Sequence, residues 1–95
     1  MKIKLAKSEL IHFVGIGGIG MSGLALIMKS KGFKVQGSDF TNNKNIERLR
    51  KEKIKVFIGH KRQNIEKGTI LVISSAIKKN NPELVAAKKK TITYL

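Results

Sequence analysis

Leu10-Ile11-His12-Phe13-Val14-Gly15-Ile16-Gly17-Gly18-Ile19-Gly20 is the stretch that decides the fold of this 95-residue chain. An apolar run stops on Gly15, and helical spacing begins near Gly18 and continues to about Lys31. A buried strand that turns on glycine straight into a helix opens a parallel βα unit. Gly15, Gly17 and Gly20 make the pattern G-x-G-x-x-G, with Gly18 as a fourth glycine. Gly15 permits a tight turn off the strand. Gly17 and Gly18 keep side chains away from an approaching diphosphate, and Gly20 allows the helix to pack closely on the strand. The helix N-terminus offers unpaired N–H groups and partial positive charge to phosphate oxygens.

Working outward, Ile19, Leu24, Ile27 and Met28 define an apolar helix face, and Gly32 ends the helix. A second strand runs over 33–38 and closes on Asp39. Asn42 or Asn43 caps a second helix to about Lys53, with Ile46, Leu49 and the Arg50 stem turned inward. Residues 55–58 form a third strand that leads to Gly59-His60, and 61–68 carries only a weak helical signal. Thr69-Ile70-Leu71-Val72-Ile73 is the strand expected to be buried on both faces. Pro82 opens a helix to about Lys89, and 91–94 is a fifth strand. The expected fold is a single α/β domain: a Rossmann-like, doubly wound, five-stranded parallel sheet in the order 3-2-1-4-5, with helices on both faces. That order puts a ligand over the carboxyl ends of strands 1, 2 and 4, beside the loops 15–22, 38–41 and 74–78.

The candidate site residues follow from this placement. Asp39 lies nineteen positions beyond Gly20 at the end of strand 2, where a carboxylate can accept two hydrogen bonds from a ribose diol; as an alternative it caps the following turn. Ser22, just inside the helix, could donate to a phosphate oxygen or simply sit on the helix surface. Ser74 and Ser75 leave strand 4 on the ligand side, and His60 could meet the ligand from beside strand 3. His12 sits within strand 1, away from its carboxyl end, and reads as a structural histidine. Met21 and Leu24 read as core.

Composition narrows the remaining classes. With no cysteine, a disulfide framework and a cysteine-based metal site are excluded, and His12 and His60 are too few and too scattered to suggest a zinc site. There is no secretory signal, no apolar run of membrane-spanning length and no G-x-x-x-x-G-K-[ST] loop, so a cytoplasmic domain with no membrane partner is expected. The formal net charge of +14 comes mostly from dispersed Lys. Lys, Ile and Asn share A/T-rich codons, so genome composition accounts for the excess; attraction of an anionic ligand is the functional alternative. The five aromatic residues form no stacking platform, and no specific nucleic-acid partner is expected. Glycine loop and Asp39 alone leave NAD and a UDP-sugar equally open, because both carry a diphosphate and a ribose.

Three separated blocks distinguish the two. Residues 11–23 (IHFVGIGGIGMSG), 35–39 (VQGSD) and 72–77 with 81–87 (VISSAI, NPELVAA) closely resemble, in the same order, the N-terminal domain of the Mur ligase family. The likeness runs from about Leu10 to Lys89. It implies a cytoplasmic enzyme of peptidoglycan synthesis that joins L-alanine to UDP-N-acetylmuramate with ATP and magnesium, through an acyl-phosphate. It also implies three domains, of which this is the one that holds the UDP part of the substrate. By position, Gly17, Gly18, Ile19, Gly20, Met21 and Ser22 would then lie at the diphosphate and adjacent sugar. Ser38 and Asp39 would meet the uridine side, and Ser74, Ser75 and Ala76 would line the same pocket. Ile19 departs from the alanine usual in the family and would narrow that pocket. The resemblance puts the ATP-binding loop beyond Leu95, so residues 1–95 are expected to bind substrate without cofactor and not to catalyse.

Overall fold

The structure, a computed structural model, describes residues 6–66, 69–87 and 91–94. Strands β1 (Leu10–Val14), β2 (Lys34–Asp39), β3 (Lys55–Ile58), β4 (Ile70–Ile73) and β5 (Thr91–Thr93) form one sheet in the order β3-β2-β1-β4-β5. Every pairing is parallel, with Ile11 beside Val35 and Ile70. The crossovers carry helices α1 (Ile19–Ser30), α2 (Lys44–Lys51) and α3 (Pro82–Ala86), and a 3-10 turn at Arg62–Asn64 joins β3 to β4. Order and class are those expected from the sequence.

Strand alternation divides the core between the two faces. Ile11 and Phe13 of β1, with Val35, Val56 and Val72, meet Met21, Ala25 and Met28 of α1 and Ile46 and Leu49 of α2. On the opposite face Val14, Leu71 and Ile73 pack with Ile65, Ile77, Leu84 and Ala87. Helices therefore cover both faces. The second face is polar along its middle, where His12, Gln36 and Ser38 are all buried.

The helices differ from expectation in detail. The buried residues of α1 are Met21, Ser22, Ala25 and Met28, whereas Ile19 and Ile27 are exposed. The glycine turn fixes where the helix starts, and thereby which stripe meets the sheet; Ile19, the first helical residue, falls outside it. Asn43 caps α2 by accepting a 2.9 Å bond from the Ile46 N–H. Ile46 and Leu49 are buried as expected, and the exposed Arg50 donates to the Val56 carbonyl. α3 ends at Ala86, short of the expected Lys89, which lies outside the described residues.

Gly37 of β2 sets the distance between sheet and loop. A Cβ there would lie 2.5 Å from Ile16 Cδ1 and 2.7 Å from the Phe13 carbonyl oxygen. Gly37→Ala is expected to destabilise the chain by about 1–3 kcal/mol through overpacking. Urea unfolding would register this as a lower midpoint at unchanged slope. A loss below about 0.5 kcal/mol, the range of neutral surface substitutions, would contradict the packing role.

Candidate functional site

The glycine turn is built around the end of β2. Gly15 has φ +82°, a conformation that favours glycine, and the N–H groups of Gly15 and Ile16 both donate to the Ser38 carbonyl at 2.8 and 3.0 Å. Ile16 is thereby driven into the core, and the next N–H, that of Gly17, donates to Asp39 Oδ2 at 2.7 Å. The other oxygen of Asp39 accepts the Phe40 N–H at 2.8 Å. Asn45 closes the turn from α2 by donating to the Gly17 carbonyl at 2.9 Å. A Cβ on Gly17 would lie 2.7 Å from Asp39 Oδ2 and 2.9 Å from Asn43 Nδ2. The missing side chain at Gly17 thus lets the loop close onto Asp39 and α2, a different use from the clear approach path read from the sequence.

The open surface of the turn begins one residue further on. Gly18, Ile19 and Gly20 are exposed, and Ile19 keeps 88% of its surface. Gly18 is the N-cap of α1 and brings no capping side chain, and the first turn has no acidic residue. The N–H groups of Ile19, Gly20 and Met21 therefore sit at a twelve-residue helix N-terminus beyond the reach of that helix's carbonyls. Gly20 is exposed, and the close approach at this end of the sheet is instead that of Gly37 to Ile16 of the loop. The Met21 side chain faces the core. Ser22 is fully buried and its hydroxyl donates back to the Ile19 carbonyl at 3.1 Å.

Beside the turn, at the same end of the sheet, a cleft of about 390 Å³ opens between Phe40, His60, Ala76, Ile77, Asn81 and Pro82. Ile77 connects the two features, for a Cβ on Gly15 would be 3.6 Å from its Cδ1. Phe40 is 75% exposed and stands at 79° to the His60 ring, with centroids 4.7 Å apart. Ala76 and His60 are brought to this cleft. Ser74 and Ser75 are not in its wall, and the Ser74 carbonyl instead accepts the Ile77 N–H within the turn.

Beneath the cleft lies a group the sequence reading left unassigned. Glu83, fully buried on α3, accepts from His12 Nε2 (2.8 Å) and the Ser38 hydroxyl (2.5 Å) on one oxygen. Its other oxygen accepts from Asn64 Nδ2 (2.6 Å) and the Lys61 N–H (3.2 Å). Gln36 completes the cluster by donating to His12 Nδ1 and the Asn64 carbonyl. His12 is the satisfied structural histidine expected. Ser38, placed with the uridine by resemblance, points under the sheet, where its oxygen also meets His60 Nδ1 at 2.7 Å. Burial pushes the Glu83 carboxyl up, but the donors from His12, Ser38 and Asn64 outweigh it and hold the group at about 2. The signal in sequence was the single polar His12 inside apolar β1 and the alternating Gln36 and Ser38 of β2, together with an acid in a chain that has six against twenty basic residues.

A five-stranded parallel sheet in this order, with a glycine turn leading into an open helix N-terminus, defines a Rossmann-like domain. Residues 10–95 match the family described as Mur ligase family, catalytic domain. The chain is 72% identical over 92 residues to UDP-N-acetylmuramate–L-alanine ligase of Pelagibacter ubique, covering 97% of this chain and 20% of that one. Against the enzyme of the same name from Brucella ovis the identity is 55% over 83 residues, covering 87% and 18%. Among solved structures, UDP-N-acetylmuramate-alanine ligase MurC of Thermotoga maritima aligns with a TM-score of 0.81 at 39% identity, covering 87% of this chain and 20% of that one. The Neisseria UDP-N-acetylmuramate:L-alanyl-gamma-D-glutamyl-meso-diaminopimelate ligase aligns at 0.77 and 30%, covering 90% and 28%. The chain belongs to the Mur ligase family, and it spans about a fifth of the length of the curated relatives it matches.

Glu83 makes stability depend on acid. Because its folded value, about 2, lies below the ordinary 4.5, its contribution is complete above pH 4.5 and is lost as pH falls through 2. The expected loss is on the order of 3 kcal/mol. Glu83→Gln should start less stable and show a flatter decline between pH 5 and 2 in urea unfolding; parallel declines would contradict the assignment.

Proposed function

We propose that this chain holds the UDP part of UDP-N-acetylmuramate in a cytoplasmic Mur ligase that joins L-alanine to it during peptidoglycan precursor synthesis. The observation that carries this reading is the exposed, uncapped N-terminus of α1 beside the Phe40–His60 cleft. The N–H groups of Ile19, Gly20 and Met21 take the diphosphate oxygens, aided by the helix dipole. Asp39 uses one lone pair of each carboxylate oxygen to hold the turn, and the remaining lone pairs accept from the ribose hydroxyls. The uracil enters the cleft against Phe40. The net charge of +14 favours approach of the anionic nucleotide.

We place the ATP and magnesium of the reaction outside these residues. There is no G-x-x-x-x-G-K-[ST] loop in the sequence, and no group of three His, Cys, Asp or Glu able to hold a metal among the described residues. Phosphoryl transfer and the attack of L-alanine are therefore assigned to parts of the enzyme outside residues 1–95, and these residues alone bind without catalysing. No helix among the described residues is long and apolar enough to cross a membrane.

Ile19→Asp separates binding from folding. An acid in the first turn favours the helix by about 0.3–1 kcal/mol, yet it places negative charge where the diphosphate is held. The variant should unfold at equal or higher urea and bind UDP-N-acetylmuramate more weakly by calorimetry. Unchanged affinity would count against the loop. Amide shifts over 17–22 with NADH and none with UDP-N-acetylmuramate would favour a redox-cofactor domain instead.

A further inference from the structure

We infer that Glu83, acting through Ser38, fixes His60 as the Nδ1–H tautomer and so makes its Nε2 a hydrogen-bond acceptor that selects uracil in the cleft. The inference rests on the proposed UDP site and adds the group that reads its base.

The protons can be counted from the ionised carboxylate outward. Glu83 Oε1 can only accept, so the single hydroxyl proton of Ser38 is committed to it. The Ser38 oxygen is then left with lone pairs, and His60 Nδ1, 2.7 Å away, must be the donor. A neutral imidazole with its proton on Nδ1 carries a bare lone pair on Nε2. His12 cannot release Ser38 from this role. The Asn64 carbonyl accepts only, so the Gln36 nitrogen is an amide NH2, and its other proton goes to His12 Nδ1. His12 Nε2 therefore carries a proton and gives it to Glu83 at 2.8 Å. All the donors around Glu83 are spoken for, and the chain of donors leads outward to His60.

The His60 side chain is only 4% exposed, it lines the cleft, and no described residue bonds its Nε2. Ring geometry turns Nε2 away from Ser38, and the ring it belongs to lines the cleft. The flanking backbone is held on both sides. The Gly59 N–H donates to the Asp39 carbonyl at 2.7 Å, and the Lys61 N–H donates to Glu83. Phe40 meets the ring edge-on. A fixed acceptor in a nearly closed wall favours a base with a ring N–H. Uracil has one at N3, whereas cytosine presents a bare nitrogen there. Glu83 and Ser38 are thus positioning residues, and His60 is the specificity-determining contact.

The experiment titrates the chain with UDP, N3-methyl-UDP and CDP, and records ¹⁵N spectra of the His60 ring near pH 8. UDP should bind about tenfold more tightly than either analogue, as one well-made polar contact implies. Nδ1 should carry the proton and Nε2 should be bare. Ser38→Ala should mix the tautomers and reduce the preference for UDP over N3-methyl-UDP, an effect that loss of packing alone would not produce. The two wild-type arms stand even if that variant does not fold. Equal binding of UDP and N3-methyl-UDP, or a proton resident on Nε2, would overturn the role of His60 while leaving the UDP site intact. Failure of UDP itself to bind would overturn both.

Discussion

A buried carboxylate with no solvent exposure must be surrounded by donors or it will not stay ionised, and Glu83 is the place where this chain meets that demand. Its four bonds come from β1, β2, the segment after β3 and the 3-10 turn, so one side chain ties α3 to most of the sheet's second face. A five-residue helix has almost no stability of its own. α3 persists because Asn81 caps it, Pro82 starts it and Glu83 anchors it from beneath. The same bonds position the floor of the cleft through Ser38 and His60.

Two carboxylates therefore organise the two halves of the candidate site. Asp39 draws the glycine turn onto the end of β2 through the Gly17 N–H, and Gly18, Ile19 and Gly20 remain exposed at the start of α1. Glu83 sets the side chains that wall the neighbouring cleft. Both act by accepting hydrogen bonds from groups that would otherwise be unpaired, and both consume acids that are scarce in a chain of formal charge +14. The cost of removing either is consequently structural as well as local.

The order of the strands and the ends of most elements were legible because buried parallel strands read as apolar runs and glycine or asparagine marks the turns between them. Leu10–Val14 and Lys55–Ile58 fall where the pattern puts them, and Asn43 is one of the two caps expected. The face of α1 was not legible, since Ile19 and Ile27 fit helical spacing yet face outward; the phase is set by the turn before the helix. Gly17 and Gly37 show a related limit. The glycine pattern reports that side chains are excluded but not by what, and here the excluding atoms belong to Asp39, Asn43, Ile16 and Phe13. The Glu83 cluster was hidden for a different reason. Its bonds to Ser38 and His12 span 45 and 71 positions, and no local pattern connects residues so far apart. Phe40 and Ile77, by contrast, lie within the loops that strand order alone puts on the ligand side.

The ionised, donor-saturated state of Glu83 is the claim on which the architecture of the second face and the orientation of His60 both depend. Its most direct measurement is the pH titration of the Glu83 side-chain carboxyl by ¹³C NMR in the folded chain. The carboxyl should remain ionised as pH is lowered through 4.5 and protonate only near 2, or as the chain unfolds. A carboxyl that titrates at or above 4.5 while the chain remains folded would contradict the account.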